Sequence, residues 1–182
     1  MFFSACRKYK TLRESWRKIT GYGPSTGNGK YNCDFPRNGG GGIKEGWHRF
    51  SGPAGTHLPT NRMNSGSGVK EVCGTSIVAW IDGSHPTIYD GVVSRDFCFE
   101  WTTGPCQYTV RSEVKTCPDP KNPGETFYVY KLKYPPGITC NWAYCAYGWK
   151  LHTGWISQDA KMFFYNWNRN ISFSLIHIMA VI

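Results

Sequence analysis

The stretch GWHRFSGPAGTHLPT, residues 46–60, changes character after its fifth residue. Four of the first five residues carry large side chains, and the next ten contain two glycines and two prolines, which suit tight turns. We therefore predict a strand followed by turns. Aromatic residues in such a strand more often belong to a core than to a ligand site, but Trp47 and Arg49 are also candidates for a contact surface. We further expect Arg49 to pair with an acid or to cover an aromatic ring.

Outward from this stretch, the middle of the chain contains several short segments that favour strands. Residues 75–81, 91–99, 107–116 and 126–133 are apolar, aromatic or β-branched, and clusters of Gly, Pro, Asn and Asp separate them. Within residues 107–116 apolar and polar side chains alternate, as they do in a half-buried strand. The pattern predicts a small all-β domain with a sandwich-like antiparallel fold.

The two ends of the chain differ from this middle part. Residues 7–18 predict a short N-terminal helix, because Leu12 and Trp16 lie four positions apart. The chain ends in ISFSLIHIMAVI, which is mostly apolar but shorter than the roughly 20 residues of a membrane span. We therefore expect no membrane span and treat residues 146–182 as a tail of doubtful structure. Asn170 begins an N-x-[ST] sequon in this tail and is a candidate for glycosylation.

The chain has an even number of cysteines, and their spacing does not suit a metal site. Only Cys140 and Cys145 approach the close spacing of zinc ligands. We predict a disulfide framework, no metal and no cofactor, and hence an oxidising compartment. The first ten residues, MFFSACRKYK, lack the apolar run of a secretory signal. We therefore expect a chain that is a fragment or whose start is misplaced; the alternative is a cytosolic protein with reduced cysteines.

The formal net charge of +9 raises the question of an acidic partner, which could be a nucleic acid or an anionic glycan. The basic residues are scattered except in the first thirty positions, and no nucleic-acid-binding motif accompanies them, so we predict no nucleic-acid partner. Weak attraction to anionic glycans or cell surfaces stays open. The five histidines form no i,i+4 pair and the acids lie on different segments, so we predict no enzyme.

Five motifs occur in a fixed order and together identify a resemblance. They are GWHRFSGPAGTHLPT (46–60), CGTSIVAWIDGSHPT (73–87), GVVSRDFCFEW (91–101), YVYKL (128–132) and CNWAYC (140–145). In this order they resemble the eight-cysteine domain of the uromodulin family, which includes the pancreatic secretory granule major glycoprotein and the liver-specific zona pellucida protein. The resemblance covers residues 6–145, so residues 1–5 are expected to form an N-terminal stub.

The resemblance implies four disulfides and the loss of a fifth. The implied pairs are Cys6 with Cys117, Cys33 with Cys140, Cys73 with Cys145, and Cys98 with Cys106. Larger relatives have a fifth bridge, whose two positions fall on Arg62 and Pro105. Because both partners are missing together, all eight remaining cysteines are expected to be paired.

The resemblance also implies a function. It implies a non-catalytic, extracellular interaction or adhesion module of a mosaic glycoprotein, beside EGF-like and zona pellucida-like modules, with glycans or microbial adhesins as partners. Lys131 and Asp82 stand where relatives carry glycosylated asparagines, so a decoy role through those glycans does not transfer. Tyr128 and Tyr130 join Trp47 and Arg49 as candidate contact residues, while His85 is expected to be structural. The alternative is a secreted, lectin-like binder of anionic glycans.

Overall fold

The computed structural model describes residues 5–19, 32–35, 42–61, 72–100, 106–137 and 142–148. The chain divides into two units, Met1–Trp149 and Lys150–Ile182, and every described residue belongs to the first. The predicted domain bounds stay a prediction. Four sites named above lie outside the described residues: Arg62, Pro105, Cys140 and Asn170.

In the described part of the chain, seven strands pair in one sheet. The strands are β1 (Lys10–Leu12), β2 (Gly46–Phe50), β3 (Ile77–Asp82), β4 (Val92–Glu100), β5 (Tyr108–Pro118), β6 (Thr126–Leu132) and β7 (Trp142–Ala143). Their order across the sheet is β1-β2-β6-β5-β4-β3-β7. The all-β, disulfide-rich fold predicted from the sequence is confirmed, as are the four strand segments of the middle part.

The topology explains why the strands share a sheet. Strands β3, β4, β5 and β6 are consecutive antiparallel neighbours, and β2 returns to pair antiparallel with the far side of β6. Short connections between consecutive strands favour this arrangement. The two outermost pairs, β1 with β2 and β3 with β7, are parallel. The first motif of the resemblance therefore forms the second strand of the sheet.

The short helix predicted for residues 7–18 is instead a strand followed by a single 3₁₀ turn. The strand is Lys10–Leu12 and the turn is Ser15–Arg17. Leu12 lies in the main core, whereas Trp16 packs against a separate buried cluster, so the two residues do not share one helical face. Pairing of the first strand with β2 supplies the backbone hydrogen bonds that a helix would have supplied.

Aromatic side chains from β4 and the last described segment fill the core. Trp142 and Tyr144 are fully buried, and both meet Phe99 edge to face, with ring centroids 5.5 and 5.4 Å apart. Such edge-to-face pairs add about 0.5–1.5 kcal/mol each beyond the burial of their area. The aromatic residues of the CNWAYC motif therefore belong to the core.

Disulfides tie the ends of the described fold to the sheet. The described residues contain the pairs Cys6–Cys117, Cys73–Cys145 and Cys98–Cys106, with Cα separations of 5.6, 6.4 and 4.5 Å. These are three of the four pairs that the resemblance implies. Cys33 is also disulfide-bonded, and Cys140, its expected partner, lies outside the described residues.

Candidate contact surfaces

Trp47 and Arg49 are half-buried and lie on the face of β2 opposite the buried Phe50. The guanidinium carbon of Arg49 is 3.7 Å from the centre of the Phe127 ring, and its Nη2 is 3.1 Å from Oδ2 of Asp119. Both expectations for Arg49, an acidic partner and an aromatic ring to cover, are confirmed. Arg49 is thus engaged within the domain, which leaves Trp47 as the contact candidate on this face.

The prediction that Tyr130 is a contact residue is wrong. Its side chain is fully buried in the main core, whereas Tyr128, on the same face of β6, is half-buried. The Tyr130 hydroxyl accepts a hydrogen bond from the backbone N–H of Leu58 at 3.1 Å and lies 2.8 Å from Nε2 of His85. Tyr130 is buried because the loops that carry Leu58 and His85 cover this part of the sheet.

His85 belongs to a cluster with Tyr128 and His57. The His85 and Tyr128 rings stack with centroids 4.2 Å apart, and the His57 ring meets His85 edge to face at 5.8 Å. Burial is the main cause that lowers the pKa of His85 to about 3, and the positive charges of His57 and Arg95 act in the same direction. The structural role predicted for His85 is confirmed. His57 was not predicted to join it, because the two histidines come from separate loops.

The neutral state of His85 should make stability depend on pH. Its folded-state pKa lies below the ordinary value of 6.5, so the stability it supports is complete above about pH 6.5 and is lost as the pH falls towards 3. Between pH 7 and pH 5 we expect the free energy of unfolding to fall by about 2 kcal/mol from this residue. Urea denaturation at the two pH values measures the fall. Burial also lowers the pKa of His48 and of His57, so part of the measured fall remains in any variant of His85. His85→Gln should reduce the fall by about 2 kcal/mol, and an equal fall in that variant would contradict the assignment.

The loop that joins β3 to β4, residues 83–91, is named the contact loop. Tyr89 at its tip is 94% exposed, and its neighbours Ile88 and Val92 are 39% and 36% exposed. These three are the exposed large apolar side chains of the described residues, and they lie within five positions of one another. Clustered apolar exposure of this kind is typical of interaction sites.

Hydrogen bonds hold the contact loop in place although its tip is exposed. The backbone N–H and the hydroxyl of Thr87 donate to Oδ2 of Asp90 at 2.6 and 2.8 Å. The hydroxyl of Thr116 on β5 donates to the carbonyl of Pro86 at 2.6 Å. The loop is thus tied to β5 just before Tyr89, and Asp90 on the other side of Tyr89 bonds back to Thr87 within the loop, so binding through Tyr89 would cost less ordering entropy than binding through an untethered loop. No motif pointed to Tyr89, since a single tyrosine between turn residues has no distinguishing pattern.

A groove of about 260 Å³ lies beside Trp47 at the β1 side of the sheet. We name it the Trp47 groove; its lining residues are Lys8, Tyr9, Lys10, Glu45, Gly46, Trp47 and His48. Lys8 and Lys10 are exposed, and neither has an ion-pair or hydrogen-bond partner among the described residues. The groove therefore combines an aromatic wall with two lysines that have no ion-pair partner among the described residues, and with one carboxylate, that of Glu45.

Across the described ranges, no three His, Cys, Asp or Glu side chains come close enough to hold a metal ion. The helices in the same ranges are single 3₁₀ turns, and none could cross a bilayer.

The fold and its bridges define a class of protein, a disulfide-stabilised all-β module. Its family follows from comparison with known proteins. The family model of the uromodulin-like domain matches residues 48–146, and the chain belongs to this family.

The relatives of the chain are much longer than the chain itself. It is 36% identical over 145 residues to uromodulin of Mus musculus and of Rattus norvegicus, which covers 77% of the chain and 18% of each relative. It is 32% identical over 145 residues to the pancreatic secretory granule membrane major glycoprotein of Canis lupus familiaris, covering 79% of the chain and 23% of that protein. The chain thus spans less than a quarter of the length of these relatives.

Proposed function

We propose that the chain is a non-catalytic, extracellular interaction and adhesion module of a longer mosaic glycoprotein, in which EGF-like and zona pellucida-like modules are its neighbours. Membership of the uromodulin-like domain family supports a modular parent, and the disulfides support an oxidising compartment. The observation that carries the proposal is the contact loop, where a hydrogen-bonded backbone presents an almost fully exposed tyrosine.

An exposed tyrosine on a hydrogen-bonded loop suits recognition for a physical reason. Tyrosine offers a large apolar area with a polar tip and has only two side-chain torsions to restrict on binding. Residues of this type carry a large share of the energy in many interfaces. Ile88 and Val92 extend the same surface with apolar area.

Tyr89→Ala is expected to abolish most of the adhesive capacity without affecting the fold. In an assay of cultured cells on surfaces coated with the secreted chain, we expect adhesion to need about 10-fold more protein, as for loss of an interface hot spot. The free energy of unfolding should change by less than about 0.5 kcal/mol, because the side chain is exposed.

Gln107→Ala is the matched control, since Gln107 is exposed but lies away from the contact loop beside the start of β5. It should support adhesion like the wild-type chain. Adhesion of Tyr89→Ala at the wild-type level, or no adhesion to the wild-type coating above an albumin coating, would contradict the proposal.

A second candidate function is a secreted, lectin-like binder of anionic glycans. The Trp47 groove favours it, because Lys8 and Lys10 lie beside an aromatic side chain and outnumber the one acidic lining residue, Glu45. The two candidates differ in their dependence on salt. Glycan binding through lysines should weaken strongly at high ionic strength, whereas apolar contact through Tyr89 should not.

A further inference from the structure

The positive charge in the Trp47 groove is not balanced inside the groove. Glu45 is the one acidic residue among its lining residues, and its Oε1 accepts the backbone N–H of Tyr134 at 2.8 Å. Lys8 and Lys10 lie two positions apart and both line the groove. Two lysines and one glutamate therefore leave the groove with a formal charge of +1, and one oxygen of the glutamate is held by the backbone of Tyr134.

The backbone around these lysines is held at several points. Cys6 is bonded to Cys117 on β5, and the ring of Tyr9 meets Phe127 edge to face with centroids 5.5 Å apart. The next residue, Lys10, is the parallel partner of a β2 residue adjacent to Trp47 in the sequence. The positions from which the lysines and the indole project are thus set before any ligand binds, which lowers the entropic cost of binding.

The shape and chemistry of the groove suit a sugar better than a nucleic acid. Trp47 offers an apolar face, which the C–H groups of a pyranose ring can cover, and the two lysines reach negative substituents on its rim. A nucleic acid presents a long row of phosphates, of which two lysines in one groove can neutralise only a few. Two lysines around one indole match a short, negatively substituted saccharide.

We propose that the Trp47 groove binds a sulfated saccharide, with Trp47 against a sugar ring and Lys8 and Lys10 on its sulfate groups. The inference rests on the second candidate function and names the site for it. Trp47 becomes the residue that selects a sugar ring, while the lysines supply attraction that salt weakens. Arg49 on the same face of β2 takes no direct part, because Phe127 and Asp119 hold its guanidinium.

The test measures binding of the full chain to a heparin-derived hexasaccharide by biolayer interferometry at 50 and 300 mM salt. We expect the double variant Lys8→Ala/Lys10→Ala to bind about 10-fold more weakly at low salt, since each exposed ion pair contributes modestly. The variant should also lose part of the salt dependence. Lys115→Ala/Lys121→Ala removes the same charge outside the groove and should bind within about 2-fold of the wild-type chain.

A second variant tests the aromatic wall. Trp47→Ala should weaken binding about 10-fold, and Trp47→Tyr, which keeps an aromatic face, should restore most of it. Because Trp47 packs against the Phe127 cluster, the fold of each variant is checked by its urea midpoint. If Trp47→Ala fails to fold, Lys8→Ala/Lys10→Ala still tests the inference, because both lysine side chains are exposed.

Three outcomes would overturn the inference, and each has a distinct meaning. If the Lys8/Lys10 and Lys115/Lys121 variants weaken saccharide binding equally, the saccharide binds a diffuse basic surface and not the groove. Equal affinity for a single-stranded oligonucleotide of the same charge would show attraction to any polyanion. If the chain does not bind the hexasaccharide at 50 mM salt, the second candidate function is contradicted as well. The proposed adhesion through Tyr89 would still stand, because the adhesion assay tests it separately.

Discussion

Replacing Asp34 with alanine is expected to lower the free energy of unfolding by about 3–5 kcal/mol. The side chains of Asp34 and Arg17 are 0% and 2% exposed, and two hydrogen bonds of 2.6 and 2.8 Å join them in a bidentate pair. Asp34 also accepts the backbone N–H of Tyr144 at 2.8 Å. Without the carboxylate, a buried guanidinium and a buried backbone donor lose their acceptor, and both losses are costly.

The charge state of Arg17 shows how strongly the pair depends on its acid. Burial alone would lower the pKa of Arg17, but the hydrogen bonds and charge of Asp34, helped by Glu14, raise it above its ordinary value. In the alanine variant Glu14, whose side chain is 48% exposed, is the remaining acidic partner among the described residues. Its solvated carboxylate can replace only part of the lost interaction.

Urea denaturation of the chain measures this prediction, and an exposed ion pair provides its control. Arg111 and Asp96 are 65% and 37% exposed and approach to 3.0 Å. Asp96→Ala should therefore cost less than about 1 kcal/mol. Similar costs for Asp34→Ala and Asp96→Ala would show that the Arg17–Asp34 pair is not the buried link that its geometry indicates.

The strands could be predicted from the sequence because their information is local. In β5, Val110 and Val114 are buried while Arg111 is exposed, which is the alternation that the sequence displays. The side-chain pairs that hold the interior together join residues that are far apart in the sequence. Asp34 meets Arg17 and Tyr144 from separate segments, and nothing in the spacing of these residues predicts that they meet.

The errors at the candidate contact residues have a related cause. A strand alternation identifies two faces but not how much of each face other segments cover. On β6 one face is covered by the Phe127 and Val129 cluster and the other buries Tyr130 in the main core, so other segments cover part of both faces. The exposed candidate, Tyr89, lies instead on a loop whose sequence has no periodicity.

The second large effect is expected from removing the Cys6–Cys117 disulfide. The bridge joins residues 111 positions apart, and in the chain-entropy model a loop of that length contributes about 4–5 kcal/mol. We expect Cys6→Ala/Cys117→Ala to lose about this much of its free energy of unfolding and to be secreted poorly. Peptide mapping without reduction precedes the measurement, and should recover the three described pairs together with Cys33–Cys140.

The Cys98–Cys106 bridge is the internal control for loop length. It joins residues only 8 positions apart, so the same model assigns it about 2–3 kcal/mol. Denaturation of the two double variants should therefore differ by about 2 kcal/mol, with the long loop the more damaging loss. Equal losses would mean that local packing around each bridge, and not closure of the chain, determines its contribution. The long bridge also fixes the segment that carries Lys8 and Lys10, so its removal should weaken hexasaccharide binding even where the sheet stays folded, whereas removal of the short bridge should not.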